Sequence, residues 1–76
     1  MVDFDKNAAG AVIRRLRKEK GLSQEVLSSF AGLARSHLSM IETGGKQPNF
    51  ETVWRIAIAL DILPHELVEL IENKDC

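Results

Sequence analysis

The stretch that decides the fold is residues 23–43, with the sequence SQEVLSSFAGLARSHLSMIET. It predicts two short helices, Ser23–Ala31 and Arg35–Thr43, with only Gly32 and the leucine after it clearly outside the helical pattern. Ser23 suits the N-cap of the first helix because its hydroxyl can accept a hydrogen bond from a free amide of the first turn. Gly32 suits the end of that helix, where a left-handed backbone is common. The stretch is therefore predicted to be two helices joined by a tight turn.

Three further helices are predicted on either side of this pair. One precedes it, from about Lys6 to Lys20, with apolar residues at helical spacing. Another follows from Phe50 to about Leu60, where Asn49 can cap it, and a last one begins at Pro64, which suits a first turn. No segment shows the period-two alternation of a strand. The sequence thus predicts an all-α fold, a single compact five-helix domain over residues 1–76.

The apolar stripes of these helices define the expected core. Its members recur at three- and four-residue spacing, and they are Ala9, Val12, Ile13, Leu16, Val26, Leu27, Phe30, Ala31, Leu38, Ile41, Phe50, Val53, Ala57 and Leu60. Trp54 and Ile58 form a second stripe on the fourth helix, four residues apart. A lone tryptophan does not make a stacking platform for bases, so Trp54 is assigned to the core or to an interface.

The formal net charge is only −1, but it is unevenly distributed. Residues 1–48 carry eight Lys/Arg and five Asp/Glu, whereas residues 49–76 carry two and six. Such a chain can present a positive face to a polyanion and turn an acidic face to solvent. Ordinary solvated helix faces give the same division, so charge alone does not decide between the two interpretations.

The composition of the second helix in the pair is more informative. Only Leu38 and Ile41 are clearly core-facing aliphatic residues, and the other positions are mostly polar. Two short helices joined by a glycine-containing turn form a helix-turn-helix, whose second helix enters the major groove of DNA. Arg35 stands at the start of that helix, where side chains reach base edges, and an arginine can pair with guanine through two hydrogen bonds. The pattern favours a recognition helix from about Arg35 to Thr43.

Matching residue types at matching spacing extend this motif over roughly residues 9 to 71. The blocks are LSQEVL (22–27), AGL (31–33), RSHLS (35–39), IE (41–42), GKQP (45–48), FETV (50–53), IAIAL (56–60) and EL (66–67). In these blocks the chain resembles the phage-repressor and Cro-like helix-turn-helix transcriptional regulators. It is also similar to the small controller proteins of restriction–modification systems. The resemblance implies a lambda-repressor-like domain that binds double-stranded DNA.

The resemblance also implies roles for individual residues. The residues expected to face base edges are Arg35, Ser36, Ser39 and Met40. The residues expected to contact phosphates are Gln24, His37, Thr43 and Lys46, and His37 is also within reach of a base. Arg17 and Glu42 match a family pair that ties the first helix to the end of the third, and the pair is interpreted as structural.

Several positions depart from the family pattern. Ala34 stands where a Ser or Thr usually caps the recognition helix, and losing that cap costs about 1 kcal/mol. Met40 often has a polar counterpart, Gly44-Gly45 replaces the commoner Gly-Lys or Gly-Arg, and Leu63 replaces a capping hydroxyl. None of these changes breaks the fold, but they leave the target sequence open.

Ile58 suggests a dimer, because the family commonly has a polar residue at that position. We expect a symmetric interface on the surface of about residues 54–71, built from Trp54, Ile58, Leu63, Leu67, Leu70 and Ile71. A two-fold homodimer would bury this surface and hold two recognition helices about one DNA turn (~34 Å) apart, on a two-fold symmetric operator.

Other functions have weaker support in the sequence. The alternative is a protein-interaction module of the same fold, such as an antitoxin or an anti-regulator. No nucleophile–base pair or phosphate loop points to an enzyme, and neither a cofactor nor a small-molecule ligand is expected. Cys76 is the only cysteine, and His37 and His65 lack the spacing of a metal-ligand pair. The N-terminus is unlike a signal peptide and no apolar run approaches ~20 residues, so a cytoplasmic protein without a membrane segment is expected.

Overall fold

The computed structural model describes residues 5–73, so Cys76 lies outside the described part. The described residues form helices and connecting turns, without strands. The helices are α1 (Ala8–Glu19), α2 (Gln24–Ala31), α3 (Arg35–Glu42), α4 (Phe50–Ala59) and α5 (Pro64–Glu72). This confirms the predicted all-α, five-helix class.

Local side-chain and backbone contacts explain where these helices begin and end. The Ser23 hydroxyl accepts a hydrogen bond from the Val26 amide at 3.1 Å, and the Asn49 side chain accepts one from the Thr52 amide at 2.8 Å. Both bonds satisfy amides that have no partner inside the helix. Gly32 ends α2 in the left-handed conformation, at φ 71°. Ala34, by contrast, gives α3 no side-chain cap.

The core lies where the five helices meet. Helix α2 packs on α3 and α4, α1 packs on α3 and α5, and α5 packs on α4. The largest fully buried side chains are Val12, Ile13, Leu27, Leu38, Ile41, Ile56, Leu60 and Leu67. Because Leu38 and Ile41 are among them, α3 is anchored by one face and leaves its other face open.

Four predicted placements are wrong. Val26, Phe30 and Phe50 were expected in the core but are 39%, 67% and 72% exposed. In α2 the buried residues are Leu27, Ser28 and Ala31, and at 100° per residue Val26 and Phe30 both fall on the far side of Leu27 from the other two. Leu67 was expected in a dimer interface but is fully buried, because it is the side chain that anchors α5 in the monomer core.

The helices are too short for a membrane-spanning role. Among the described residues, none combines the length and the apolar character that crossing a bilayer requires.

Candidate DNA-binding surface

The outward face of α3 carries the residues expected to meet DNA. Arg35, Ser36 and Met40 are exposed, and Ser39 is half-buried. Leu38 and Ile41 face the core, so these two apolar residues fix the helix while Arg35, Ser36 and Met40 point outward. The arrangement presents a short, mostly polar ridge at the protein surface.

Arg35 is held in place by the first residue of α2. Its Nη1 donates to Oε1 of Gln24 at 3.2 Å. The amide nitrogen of Gln24 in turn donates to Oε1 of Glu42 at 3.1 Å. A single side chain therefore connects the first residue of α3 to the last residue of the same helix.

Beneath this contact lies a buried ion pair between α1 and α3. Arg17 Nε donates to Glu42 Oε2 at 2.7 Å and Arg17 Nη2 donates to Glu42 Oε1 at 3.0 Å. The remaining terminal nitrogen, Nη1, donates to the Leu22 carbonyl at 2.8 Å. The side-chain hydrogen bond to Glu42 raises the pKa of Arg17 above its ordinary value, against the opposing effect of burial. The two parallel bonds form the bidentate geometry that arginine and a carboxylate favour.

These contacts form one continuous network, which residue-by-residue reasoning did not predict. The resemblance implied the Arg17–Glu42 pair and a phosphate role for Gln24 as separate features. The structure joins them in the order Arg17, Glu42, Gln24, Arg35. The network fixes the direction of Arg35 from the protein interior.

The loop after α3 is ordered around one carbonyl. The Met40 carbonyl accepts hydrogen bonds from the Gly45 amide at 2.9 Å, the Lys46 amide at 3.2 Å and the Thr43 hydroxyl at 3.2 Å. Thr43 and Lys46 are exposed, next to the end of α3. The loop is therefore held by internal hydrogen bonds despite Gly44 and Gly45. These bonds keep the backbone of Lys46 beside the end of α3. His37 is half-buried on α3.

Close contact between α1 and α3 sets the position of the ridge. Gly10 is buried in α1, and a Cβ atom at this position would collide with the Ile41 carbonyl. The same atom would lie 3.0 Å from Cα of Glu42. Any larger residue would push the last turn of α3 away from α1, so glycine is required at this crossing.

A second surface, on α4 and α5, is apolar. We call this the apolar surface, and it consists of the exposed residues Phe50, Trp54, Ile58, Leu63, Val68 and Leu70. Trp54 and Phe50 have ring centroids 6.1 Å apart in a tilted arrangement. A groove of about 300 Å³ passes between α4 and α5 beside these rings. Four of the six predicted interface residues lie on this surface, whereas Leu67 is in the core and Ile71 is half-buried.

Phe50 and Val68 on this surface were not predicted as interface residues. Phe50 matched the apolar spacing of the core, and Val68 was not singled out. The described residues also contain no cluster of His, Cys, Asp and Glu suited to a metal ion.

Comparison with known proteins assigns this geometry to a family. A family model described as "Helix-turn-helix" matches residues 13–67. The uncharacterized HTH-type transcriptional regulator y4dJ of Sinorhizobium fredii is 39% identical over 59 residues, covering 78% of this chain and 77% of that protein. The HTH-type transcriptional regulator SinR of Bacillus subtilis is 36% identical over 61 residues, 79% of this chain but 55% of its own length. This chain therefore spans about half of SinR.

Solved structures show the same similarity. The restriction-modification controller protein C.AhdI from Aeromonas hydrophila has a TM-score of 0.79 at 41% identity, covering 83% of this chain and 96% of that chain. SinR, described as the master regulator for biofilm formation and crystallised with DNA, has a TM-score of 0.73 at 36% identity, covering 79% and 97%. The resemblance to repressor-like regulators is confirmed, and the relatives are regulators rather than enzymes.

Proposed function

Because the chain belongs to the helix-turn-helix family of transcriptional regulators, we propose that it binds double-stranded DNA sequence-specifically as a homodimer on a two-fold symmetric operator. A regulator of this kind acts where the genome is, in the cytoplasm. The observation that carries the proposal is Arg35, an exposed arginine held at the first position of α3 by its bond to Gln24.

Arg35 is the residue we assign to direct base recognition. A guanidinium has five N–H donors in a planar fork, and the Gln24 bond uses only one terminal nitrogen. The remaining donors suit the O6 and N7 acceptors of guanine in the major groove. Ser36, Ser39 and Met40 follow along the same helix, and the methionine is suited to a thymine methyl group.

Gln24 serves both the network and the DNA backbone in this proposal. Its amide nitrogen carries two hydrogens, of which one is used by Glu42. The second is available to a phosphate oxygen, while the carbonyl oxygen of the side chain continues to hold Arg35. His37, Thr43 and Lys46 are the other proposed phosphate contacts. Such contacts set register and affinity, whereas base contacts set specificity.

The proposed dimer uses the apolar surface. Trp54, Ile58 and Leu63 are 50%, 57% and 55% exposed, and Leu70 is 36% exposed. Large apolar side chains exposed on one surface are typical of an interaction site. A second copy related by a two-fold axis would cover it and double the DNA contact. Leu67 is excluded from the interface, and Phe50 and Val68 are added to it.

Selection from random double-stranded DNA of ~30 base pairs, long enough for two half-sites one turn (~34 Å) apart, tests the proposal. We expect enrichment of a two-fold symmetric site at physiological salt. Salt-sensitive binding without any enriched sequence would contradict it and would favour a protein partner instead.

A further inference from the structure

The two residues just before α1, Lys6 and Asn7, pack against the loop that follows α3. The side-chain amide of Gln47 donates a hydrogen bond to the backbone carbonyl of Lys6. One residue further on, the side-chain oxygen of Asn7 occupies the space where a Cβ on Gly44 would stand. Two separate contacts therefore join the residues just before α1 to the loop that carries Lys46.

These contacts place Lys6 beside a residue already proposed to bind DNA. Gln47 directly follows Lys46, so the backbone of Lys6 is bonded to the neighbour of a proposed phosphate contact. Lys6 and Lys46 are both exposed. Within residues 5–73, neither lysine forms a salt bridge. The two lysine side chains thus start from the same region of the surface, next to the end of α3.

The carboxylate of the adjacent residue, Asp5, is not paired with Lys6 in a salt bridge. Asp5 is half-buried, and its Oδ1 accepts a hydrogen bond from the Asn7 amide at 2.9 Å. The carboxylate is directed at the backbone before α1, while the longer lysine side chain is free to extend. Each DNA strand carries one phosphate charge per ~3.4 Å of helix axis, so neighbouring phosphates are available to two neighbouring lysines.

We propose that Lys6 binds a DNA phosphate next to the one bound by Lys46, and that Gln47 is the positioning residue that holds it there. The inference rests on the proposed DNA-binding function, and it adds the start of the chain to the binding surface. The competing interpretation is that Gln47 itself contacts the phosphate and that Lys6 is an ordinary solvated lysine.

The salt dependence of operator binding separates these interpretations. Each phosphate contact contributes about −0.9 to the slope of log K against log salt concentration. A dimer of Lys6→Gln subunits loses two contacts, so its slope should be shallower by about 1.8, and binding at ~0.1 M salt should weaken tens-fold on every sequence. Lys6→Arg keeps the charge and should keep the slope.

The matched control is Arg15→Gln. Arg15 is exposed, its contact with Glu19 is 3.7 Å long, and it lies about 140° around α1 from Gly10, which faces α3. This change removes the same unit of charge away from α3, so it should leave the slope nearly unchanged. Equal slopes for Lys6→Gln and Arg15→Gln would overturn the proposal. Absence of DNA binding by the wild-type protein would instead overturn the proposed function on which it rests.

The role of Gln47 is tested in a double-mutant cycle with Lys6. If Gln47 acts by positioning Lys6, Gln47→Ala should weaken binding in the wild-type background and have little further effect in Lys6→Gln. If the affinity of the double variant falls by the product of the two single losses, Gln47 acts independently of Lys6 and its positioning role is refuted. Thermal unfolding midpoints of all variants, which should agree within a few degrees, exclude a loss of fold as the cause.

Discussion

Replacing Glu42 by Gln tests the network beneath the recognition helix. The substitution keeps the size of the side chain but removes the only charge paired with Arg17 among the described residues. The side chains of Arg17 and Glu42 are only 10% and 2% exposed. Arg17 stays charged in this site with little water, because a guanidinium does not lose its proton in proteins.

The expected loss of stability is large for a domain of this size. Breaking a buried ion pair by removing one partner typically costs about 3–5 kcal/mol, because the remaining charge is left uncompensated. Domains have roughly 0.05–0.15 kcal/mol of stability per residue, which gives about 4–11 kcal/mol for this chain. Glu42→Gln should therefore remove roughly a quarter or more of the total free energy of unfolding.

Urea denaturation followed by circular dichroism measures this loss. We expect a lower midpoint with an unchanged m-value, since the surface exposed on unfolding stays the same. The comparison variant is Arg17→Met combined with Glu42→Leu, which replaces both charges by apolar groups of similar size. It should be much closer to the wild type than Glu42→Gln, because no buried charge is left unpaired. A loss below about 1 kcal/mol in Glu42→Gln would contradict this expectation, since an exposed ion pair contributes no more than that.

Two further changes test the apolar surface and the start of α3. Ile58→Glu should convert the dimer to a monomer in sedimentation velocity at micromolar concentration. The exposed control Lys18→Glu should leave the protein dimeric. A dimeric Ile58→Glu protein would exclude this position from the interface. Ala34→Ser should add about 1 kcal/mol to the free energy of unfolding by supplying the missing N-cap bond of α3, and an unchanged urea midpoint would show that the new hydroxyl does not cap the helix.

The helices were predictable because their ends depend on local chemistry. Ser23 and Asn49 cap α2 and α4 through their own side chains, and Gly32 adopts the left-handed conformation that ends α2. Pro64 begins α5 as its fixed φ favours. Each of these signals acts within three or four residues, so the neighbouring residues in the sequence determine where these helices begin or end.

The placement of large apolar side chains was less predictable. Phe30 and Phe50 have the spacing of core residues, yet smaller neighbours fill the space between α2 and α4, and both rings face solvent. Leu67 and Leu70 are three residues apart on α5, but only Leu67 is buried in the monomer core. Periodicity identifies an apolar side of a helix without showing which neighbour covers it.

The network from Arg17 to Arg35 was predictable only in part. The resemblance supplied the Arg17–Glu42 pair, but the position of Gln24 between Glu42 and Arg35 depends on side-chain directions in three helices. The same holds for the bond from Gln47 to Lys6, which joins residues 41 positions apart. Contacts of this kind follow from the assembled fold rather than from sequence spacing.

The most direct test of base recognition by α3 is to measure how Arg35→Ala changes the affinity for DNA at each base position. Affinities of the wild type, Arg35→Ala and the exposed control Arg14→Ala would be measured on the selected operator and on every single-base variant of it. We predict that Arg35→Ala costs about 1–3 kcal/mol of binding free energy and loses discrimination at one symmetric pair of guanine positions, while Arg14→Ala keeps the wild-type preferences. An equal loss of affinity on all sequences would contradict this prediction. Arg35 would then be a phosphate contact, and the first residue of α3 would not recognise a base.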